Sequence, residues 1–251
     1  MRAWEDRRVS EDRAPQGVVR VRAPNPSPIT LDGTNTYVVG GWVVDPGPND
    51  TYHLDRVSDT VSRNAPRGSI EGIVLTHGHP DHAEGAAGLA ERAGGAPVVR
   101  PCEGEEVGPL RALATPGHAP DHVCLLFGRI LFSGDTVLGE GSVFIGPEEG
   151  SMSAYLGSLR RLGELDLDAL CPGHGPFVWR PHEKIDEYLE HRLDRERRLL
   201  EALDAGVRTR NEMLDAAWPE VPPALRPAAA LTLEAHLEKL AKEGRVASGL
   251  D

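Results

Sequence analysis

Val18-Val-Arg-Val-Arg22 and Thr36-Tyr-Val-Val39 alternate and are β-branched, the pattern of strands whose successive side chains point to opposite faces; they predict an opening β-meander. Further apolar runs at Trp42 to Val44, Ile73 to Leu75, Val98-Val99, Leu110 to Ala114, His122 to Phe127 and Arg129 to Ser133 read as strands too. Between them, His82 to Ala93 carries small and apolar residues at helical spacing and stops at Gly94-Gly95, which predicts a helix. A second helix is predicted over about Met152 to Leu162, with Tyr155, Leu156, Leu159 and Leu162 on one face. Strands, a helix, strands again and a helix is the order of a mixed α and β domain.

From about Pro181 the pattern becomes charged, Leu-rich and helical, through Tyr188, Leu189, Leu193, Leu199, Leu200 and Leu203. A second helix around Asn211 to Ala217, a Pro-rich turn at Pro219 to Pro227 and a third helix from about Ala228 to Lys242 complete this part. Three segments are therefore expected: a polar arm at 1–16, a domain at 17–180 and a helical domain at 181–251. After Gly244 the seven remaining residues are too few for a full β-hairpin wing. The arginines of 192–198 are interleaved with Asp194 and Glu196, so this run reads as a solvated helix with internal ion pairs, not a phosphate-binding patch. His53, His182, His191 and His236 read as surface residues. Apolar positions on the tail helices suit intramolecular docking or a homodimer interface equally.

Composition changes this picture little. With 39% hydrophobic and 26% charged residues the chain reads as a soluble protein. It has no run of the about 18 apolar residues that a membrane span needs. The charged start, Met1-Arg-Ala-Trp-Glu-Asp-Arg-Arg, lacks the apolar centre of a secretory signal, so a cytoplasmic location is expected. Cys102, Cys124 and Cys171 are odd in number and far apart, which is not a disulfide framework; Cys124 and Cys171 read as packing residues. A formal charge of −12 argues against a polyanionic partner at long range, although two bound divalent cations would reverse the sign locally.

The chemistry concentrates in Thr76-His77-Gly78-His79-Pro80-Asp81-His82, where three imidazoles and a carboxylate fall within six consecutive residues just after an apolar strand. Imidazole with carboxylate suits zinc and its first-row neighbours, whereas an all-oxygen set would suit magnesium or calcium. Alternate residues such as His77 and His79 point the same way from an extended segment, while Asp81 and His82 can turn towards a second centre. Similar strand-end positions recur at Asp45, Gly117-His118, Gly134-Asp135 and Gly173-His174.

Taken in order, Asp45, His-x-His-x-Asp-His, His118, Asp135 and His174 resemble the metallo-β-lactamase superfamily of dinuclear metallohydrolases. The resemblance spans about residues 17 to 180. Asn25-Pro-Ser-Pro-Ile-Thr-Leu-Asp-Gly-Thr-Asn-Thr-Tyr37, Gly134-Asp135-Thr-Val-Leu-Gly and the helical tail further resemble its β-lactamase-like endoribonuclease group, which is close to glyoxalase II. It implies an α+β fold, an αββα four-layer sandwich with a winged-helix-like C-terminal domain. One metal would take His77, His79 and His118, the other Asp81, His82 and His174, with Asp135 bridging. The implied cofactors are two divalent ions, zinc first, with manganese or iron also accommodated. The implied nucleophile is a hydroxide held between them, and Asp45 would steady the metal loop or a histidine ring. His122 is left open between proton donor and hydrogen-bonding support.

The expected function is thus a metal-dependent hydrolase. The first substrate expectation is single-stranded RNA cleaved as a phosphodiester, and the second a thioester or carboxylic ester in the manner of glyoxalase II. A non-catalytic metal- or RNA-binding module is a third reading, weakened because every ligand position is filled.

Overall fold

The computed structural model describes residues 13–246; the N-terminal arm up to residue 12 and the C-terminal residues from 247 lie outside the described residues. The chain divides into two compact units. Among the described residues, the first holds those up to Ala114 with Asp121–Gly141 and Asp166–Pro181, the second Thr115–Pro120, Ser142–Leu165 and those from His182 onward. This division interleaves the two units, whereas the composition change at Pro181 marks a single boundary.

The first unit is built on two five-stranded sheets. One runs β1 (Val18–Arg22), β2 (Asn35–Val39), β3 (Trp42–Val44), β4 (Gly72–Val74), β5 (Val98–Val99), with β1 to β3 antiparallel and β3 to β5 parallel. The other runs β10 (Ala169–Pro172), β9 (Ile130–Gly134), β8 (Val123–Phe127), β7 (Leu110–Ala114), β6 (Glu106–Val107); only β10 and β9 pair in parallel. Side-chain alternation sorts the first sheet into two faces. Tyr37, Val39, Val44 and Val74 join Leu110, Val123, Leu125, Phe132 and Cys171 of the second sheet in one core. Val38, Val43 and Ile73 instead meet helices on the other face.

Those helices are α1 (Thr51–Asn64), α2 (Pro80–Ala83) and α3 (Ala86–Arg92). The first was not anticipated. Asp50 caps it by accepting the His53 amide at 2.7 Å. Leu54, Val57 and Val61 form its buried stripe, and it ends at Ala65, which Pro66 holds extended. The single helix expected from His82 is two short ones that meet at Glu84-Gly85. A side chain at position 85 would sit 3.0 Å from the carbonyls of Gly47 and Pro48, so glycine there lets the helix pair approach the loop after β3.

The second unit contains α4 (Met152–Gly163), α5 (Pro181–Asp204), α6 (Arg210–Ala217) and α7 (Arg226–Lys242). Thr209 and Glu212 cap α6 reciprocally. Leu199, Met213, Trp218, Leu233, Leu237 and Leu240 form the core of these helices.

Two expectations about this region need correction. Arg192, Arg195 and Glu196 are buried, not solvated: Arg192 is 2% exposed and Glu196 pairs with Lys239 at 2.8 Å. Only Arg197 and Arg198 make the expected surface pairs within α5, with Asp194 and Glu201. His53 and His236 are likewise buried, because each falls on the inner stripe of its helix. Among the described residues, no helix is long and apolar enough to cross a membrane.

Candidate metal centre

The ends of β3 and β4 set the site. At the end of β3, Asp45 adopts φ of 48°, a left-handed conformation that aspartate tolerates better than most residues. Its Oδ1 accepts the Thr76 amide at 2.8 Å, and its Oδ2 accepts the Thr76 hydroxyl at 2.7 Å. The same Oδ2 lies 2.9 Å from His82 Nδ1. Because a carboxylate only accepts, Nδ1 carries the hydrogen and Nε2 presents its lone pair. With the Thr76 hydroxyl hydrogen committed to Asp45, His77 Nδ1, 3.0 Å from Thr76 Oγ1, is the donor in that contact. His77 Nε2 thereby presents its lone pair.

His174 reaches the same point from the turn after β10. Its Nε2 is 3.3 Å from His82 Nε2, 3.2 Å from Asp81 Oδ2 and 3.5 Å from Asp135 Oδ1. His82 Nε2 is in turn 3.5 Å from Asp81 Oδ2 and 3.4 Å from Asp135 Oδ1. A tetrahedron with metal–ligand bonds of about 2.0–2.1 Å has edges of about 3.3–3.4 Å. Five ligand-to-ligand separations thus match the edges of one zinc-sized tetrahedron. Two buried imidazole nitrogens converging with two carboxylate oxygens fit a divalent cation. The ligand atoms of His77, His82 and Asp135 also lie within 4.8 Å of one another, as do those of Asp81, His82 and His174. Asp135 is therefore adjacent to both groups.

The electrostatics follow from this crowding. Burial alone would raise the Asp135 carboxyl, but His174 and His82 beside it hold it well below the usual carboxylate range. Asp81 is lowered against burial by the same two histidines. Burial opposes a charged His82, yet Asp135 and Asp45 hold its pKa well above the ordinary value. His174, opposed by burial and favoured by Asp135 and Asp81, is raised to about 9. Without metal the site thus retains protons that a cation would displace.

The other expected residues divide between the units. His79 stands edge-on to His77, with ring centroids 4.6 Å apart. His118 lies in Thr115–Pro120, in the second unit, with Nδ1 2.9 Å from the Phe144 carbonyl. His122 immediately precedes β8 and is buried; its Nε2 accepts the Asp135 amide at 3.1 Å, and its Nδ1 lies 3.2 Å from Thr136 Oγ1. Both ring nitrogens are engaged with the Asp135 turn, the arrangement of a support. Cys171 packs between the sheets, where burial pushes its thiol up.

Residues not singled out from sequence complete the frame. Asn35 Nδ2 donates to the carbonyls of Pro172 and Gly175 at 3.0 and 2.9 Å, and Tyr37 Oη donates to Pro172 O at 2.7 Å. These bonds fasten the turn that carries His174. Gly173 is required there, since a Cβ would stand 2.5 Å from Asp135 Oδ1.

Comparison with known proteins agrees with this geometry. Residues 29–101 and 96–174 match the metallo-beta-lactamase superfamily model, and residues 209–251 match the beta-lactamase associated winged helix domain. The chain is 31% identical to a beta-lactamase-like protein 2 homolog of Caenorhabditis elegans over 94% of its own length and 88% of the relative's. It is 32% identical to an atrochrysone carboxyl ACP thioesterase of Aspergillus chevalieri, over 74% of this chain and 65% of that one. Among solved structures, a metallo-beta-lactamase family protein of Thermus thermophilus shares 25% identity and a TM-score of 0.71, covering 93% of this chain and 96% of that one. On the match of sequence, fold and ligand geometry, the chain belongs to the metallo-β-lactamase superfamily, with a β-lactamase-associated winged helix domain towards its C-terminus.

Proposed function

We propose that this metallo-β-lactamase-fold hydrolase works as a dinuclear enzyme on thioesters or related carboxylic esters. The observation that carries the reading is the convergence of His82, His174, Asp81 and Asp135 at separations of 3.2–3.5 Å. His77, His79 and His118 would hold one divalent ion, Asp81, His82 and His174 the other, and Asp135 would contact both. When bound, such a pair supplies a water activated near neutral pH and polarises the acceptor oxygen of the substrate.

The protein's own contribution is preorganisation. Asp45 fixes the His82 tautomer, Thr76 fixes His77, and His122 holds the amide of Asp135. Asn35 and Tyr37 hold the His174 turn, so the ligands are in place before substrate arrives. Three features support an ester over a polyanion: the formal charge of −12, the absence of lysine and arginine from Gly139–Phe144, and the relative named as an acyl-carrier thioesterase. Zinc is the metal the nitrogen-rich set favours, with manganese and iron as competitors.

A second reading, cleavage of single-stranded RNA, is favoured by the winged helix match at 209–251. The test is turnover of S-lactoylglutathione and of a fluorescent single-stranded RNA by zinc-loaded protein, with Asp135→Ala as control. Thioester hydrolysis lost in the variant supports the first reading. RNA cleavage alone, lost in the variant, replaces it with the second, and wild-type turnover by Asp135→Ala sinks the dinuclear mechanism.

A further inference from the structure

Arg192 is almost wholly buried, at 2% exposure, although arginine is the side chain that most resists leaving water. Among the described residues no carboxylate pairs with it. Its Nη2 instead donates to Ser142 Oγ at 2.8 Å and to the Val143 carbonyl, while the guanidinium lies over the Tyr155 ring at 5.5 Å. A buried cation without an ion pair contributes less stability than a well-packed apolar residue of its volume. Packing alone therefore does not account for an arginine here.

What Arg192 holds does account for it. The next residue along the held segment, Phe144, offers its carbonyl to His118 Nδ1 at 2.9 Å. One residue further, the Ile145 amide donates to Thr232 Oγ1 on α7 at 3.3 Å. The segment that orients the His118 ring is thus pinned on both sides by the helical tail. The backbone of His118 is held by the same unit. The Ser151 amide donates to Gly117 O at 2.8 Å, and Ser158 Oγ donates to Pro116 O at 2.8 Å. Gly117, at φ of 147°, lies so close to α4 that a Cβ would be 2.4 Å from Tyr155 Cα. The division into units reflects this, since Thr115–Pro120 groups with the helices and not with the strand that precedes it.

We infer that Arg192 is a positioning residue for the His118 ring, acting through Val143 and Phe144. A carbonyl on Nδ1 sets the tautomer in which Nε2 faces the metal, and a carbonyl on a loose loop would not. The inference rests on the assignment of His118 as a ligand made above. It assigns to α5 and α7 a role separate from nucleic-acid binding or dimerisation.

The test uses the full chain stripped of metal, with Arg192→Met, Arg192→Lys and His118→Ala beside wild type. Zinc is titrated calorimetrically, metal content is measured, and the His118 ring is observed through its 15N resonances. Arg192→Met keeps the stem and should fold. We expect one of the two zinc sites to weaken about tenfold, the lower end for loss of a residue that supports a ligand, with the other unchanged. The 15N signals should change from the single Nδ1–H tautomer to a mixture. Arg192→Lys, which retains donors but not the planar fork, should fall between and carries the test alone if the methionine variant does not fold. If His118→Ala loses one zinc while every folded variant at position 192 titrates like wild type, the positioning role is overturned. If His118→Ala itself binds two zinc ions with wild-type affinity, the ligand assignment is what fails.

Discussion

Replacing Asp45 by asparagine preserves shape and removes one acceptor, so its effect follows from hydrogen-bond direction. Asp45 receives three donors: the Thr76 amide at 2.8 Å on Oδ1, and the Thr76 hydroxyl at 2.7 Å and His82 Nδ1 at 2.9 Å on Oδ2. Asparagine keeps one oxygen for the Thr76 amide and turns an NH2 group towards the other two. His82 can then avoid a donor–donor clash only by moving its hydrogen to Nε2, the atom that faces His174 and Asp135. Loss of such an orienting carboxylate costs about 10- to 100-fold in metal affinity, or about 1.4–2.7 kcal/mol. Because the site is buried, the mismatched donors cost a further 1–3 kcal/mol or so in stability. The assay is zinc titration of the metal-free variant with turnover measured at saturating zinc. We expect weaker binding, lower kcat even when loaded, and a melting temperature below wild type. An Asp45→Asn protein with wild-type zinc affinity and turnover would refute the claim that this carboxylate sets the His82 tautomer.

Zinc binding at pH 7 should release at least one proton, because Asp135 and Asp81 keep His174 protonated until a cation arrives. Titration heats should therefore vary with the ionisation enthalpy of the buffer, and heats independent of buffer would contradict this. Glu196, opposed by burial but facing His236 and bonded to Lys239, has its pKa lowered to about 2. A depressed carboxyl stabilises above its unfolded pKa of about 4.5 and loses that contribution as pH falls from there towards 2, for at most about 3 kcal/mol. Glu196→Gln should flatten the acid limb of the urea midpoint against pH, and an unchanged limb would count against it. His53, whose pKa burial and Arg56 lower to about 4, should stabilise the fold while neutral, above about pH 6.5, and lose that contribution as pH falls towards 4; His53→Gln should remove this dependence. Tyr37→Phe removes the hydroxyl bond to Pro172 O and should cost about 1 kcal/mol in urea unfolding with unchanged m-value.

The parts of this protein that could be read from sequence are those whose signal is local. The run His77 to His82 stands out as a candidate metal motif because one short segment carries three imidazoles and a carboxylate, and β1, β7 and α4 announce themselves by period. Helix α1 escaped notice although Leu54, Val57 and Val61 are at helical spacing, because the threonines, serines and valines around them weaken helix propensity. Asn35 could not be assigned its role, since its acceptors at Pro172 and Gly175 lie 137 and 140 residues away.

The arginine run shows the same limit from the other side. Interleaved charges on a helix normally mean water, and for Arg197 and Arg198 they do. Arg192 and Arg195 lie one turn apart on the inner face, and only the fold supplies the Val143 and Ala217 carbonyls that receive them. A charged residue on a buried stripe is a contradiction until its acceptor is known. Asp45 is a second case, an acid at a strand end in a conformation most residues avoid, explained by the three donors it gathers. In both places a local preference is overridden so that a histidine ring is held from behind. Four of the candidate ligands fall in one motif, but the groups that orient the candidate rings are distributed along the chain, including helices whose composition suggests a separate task.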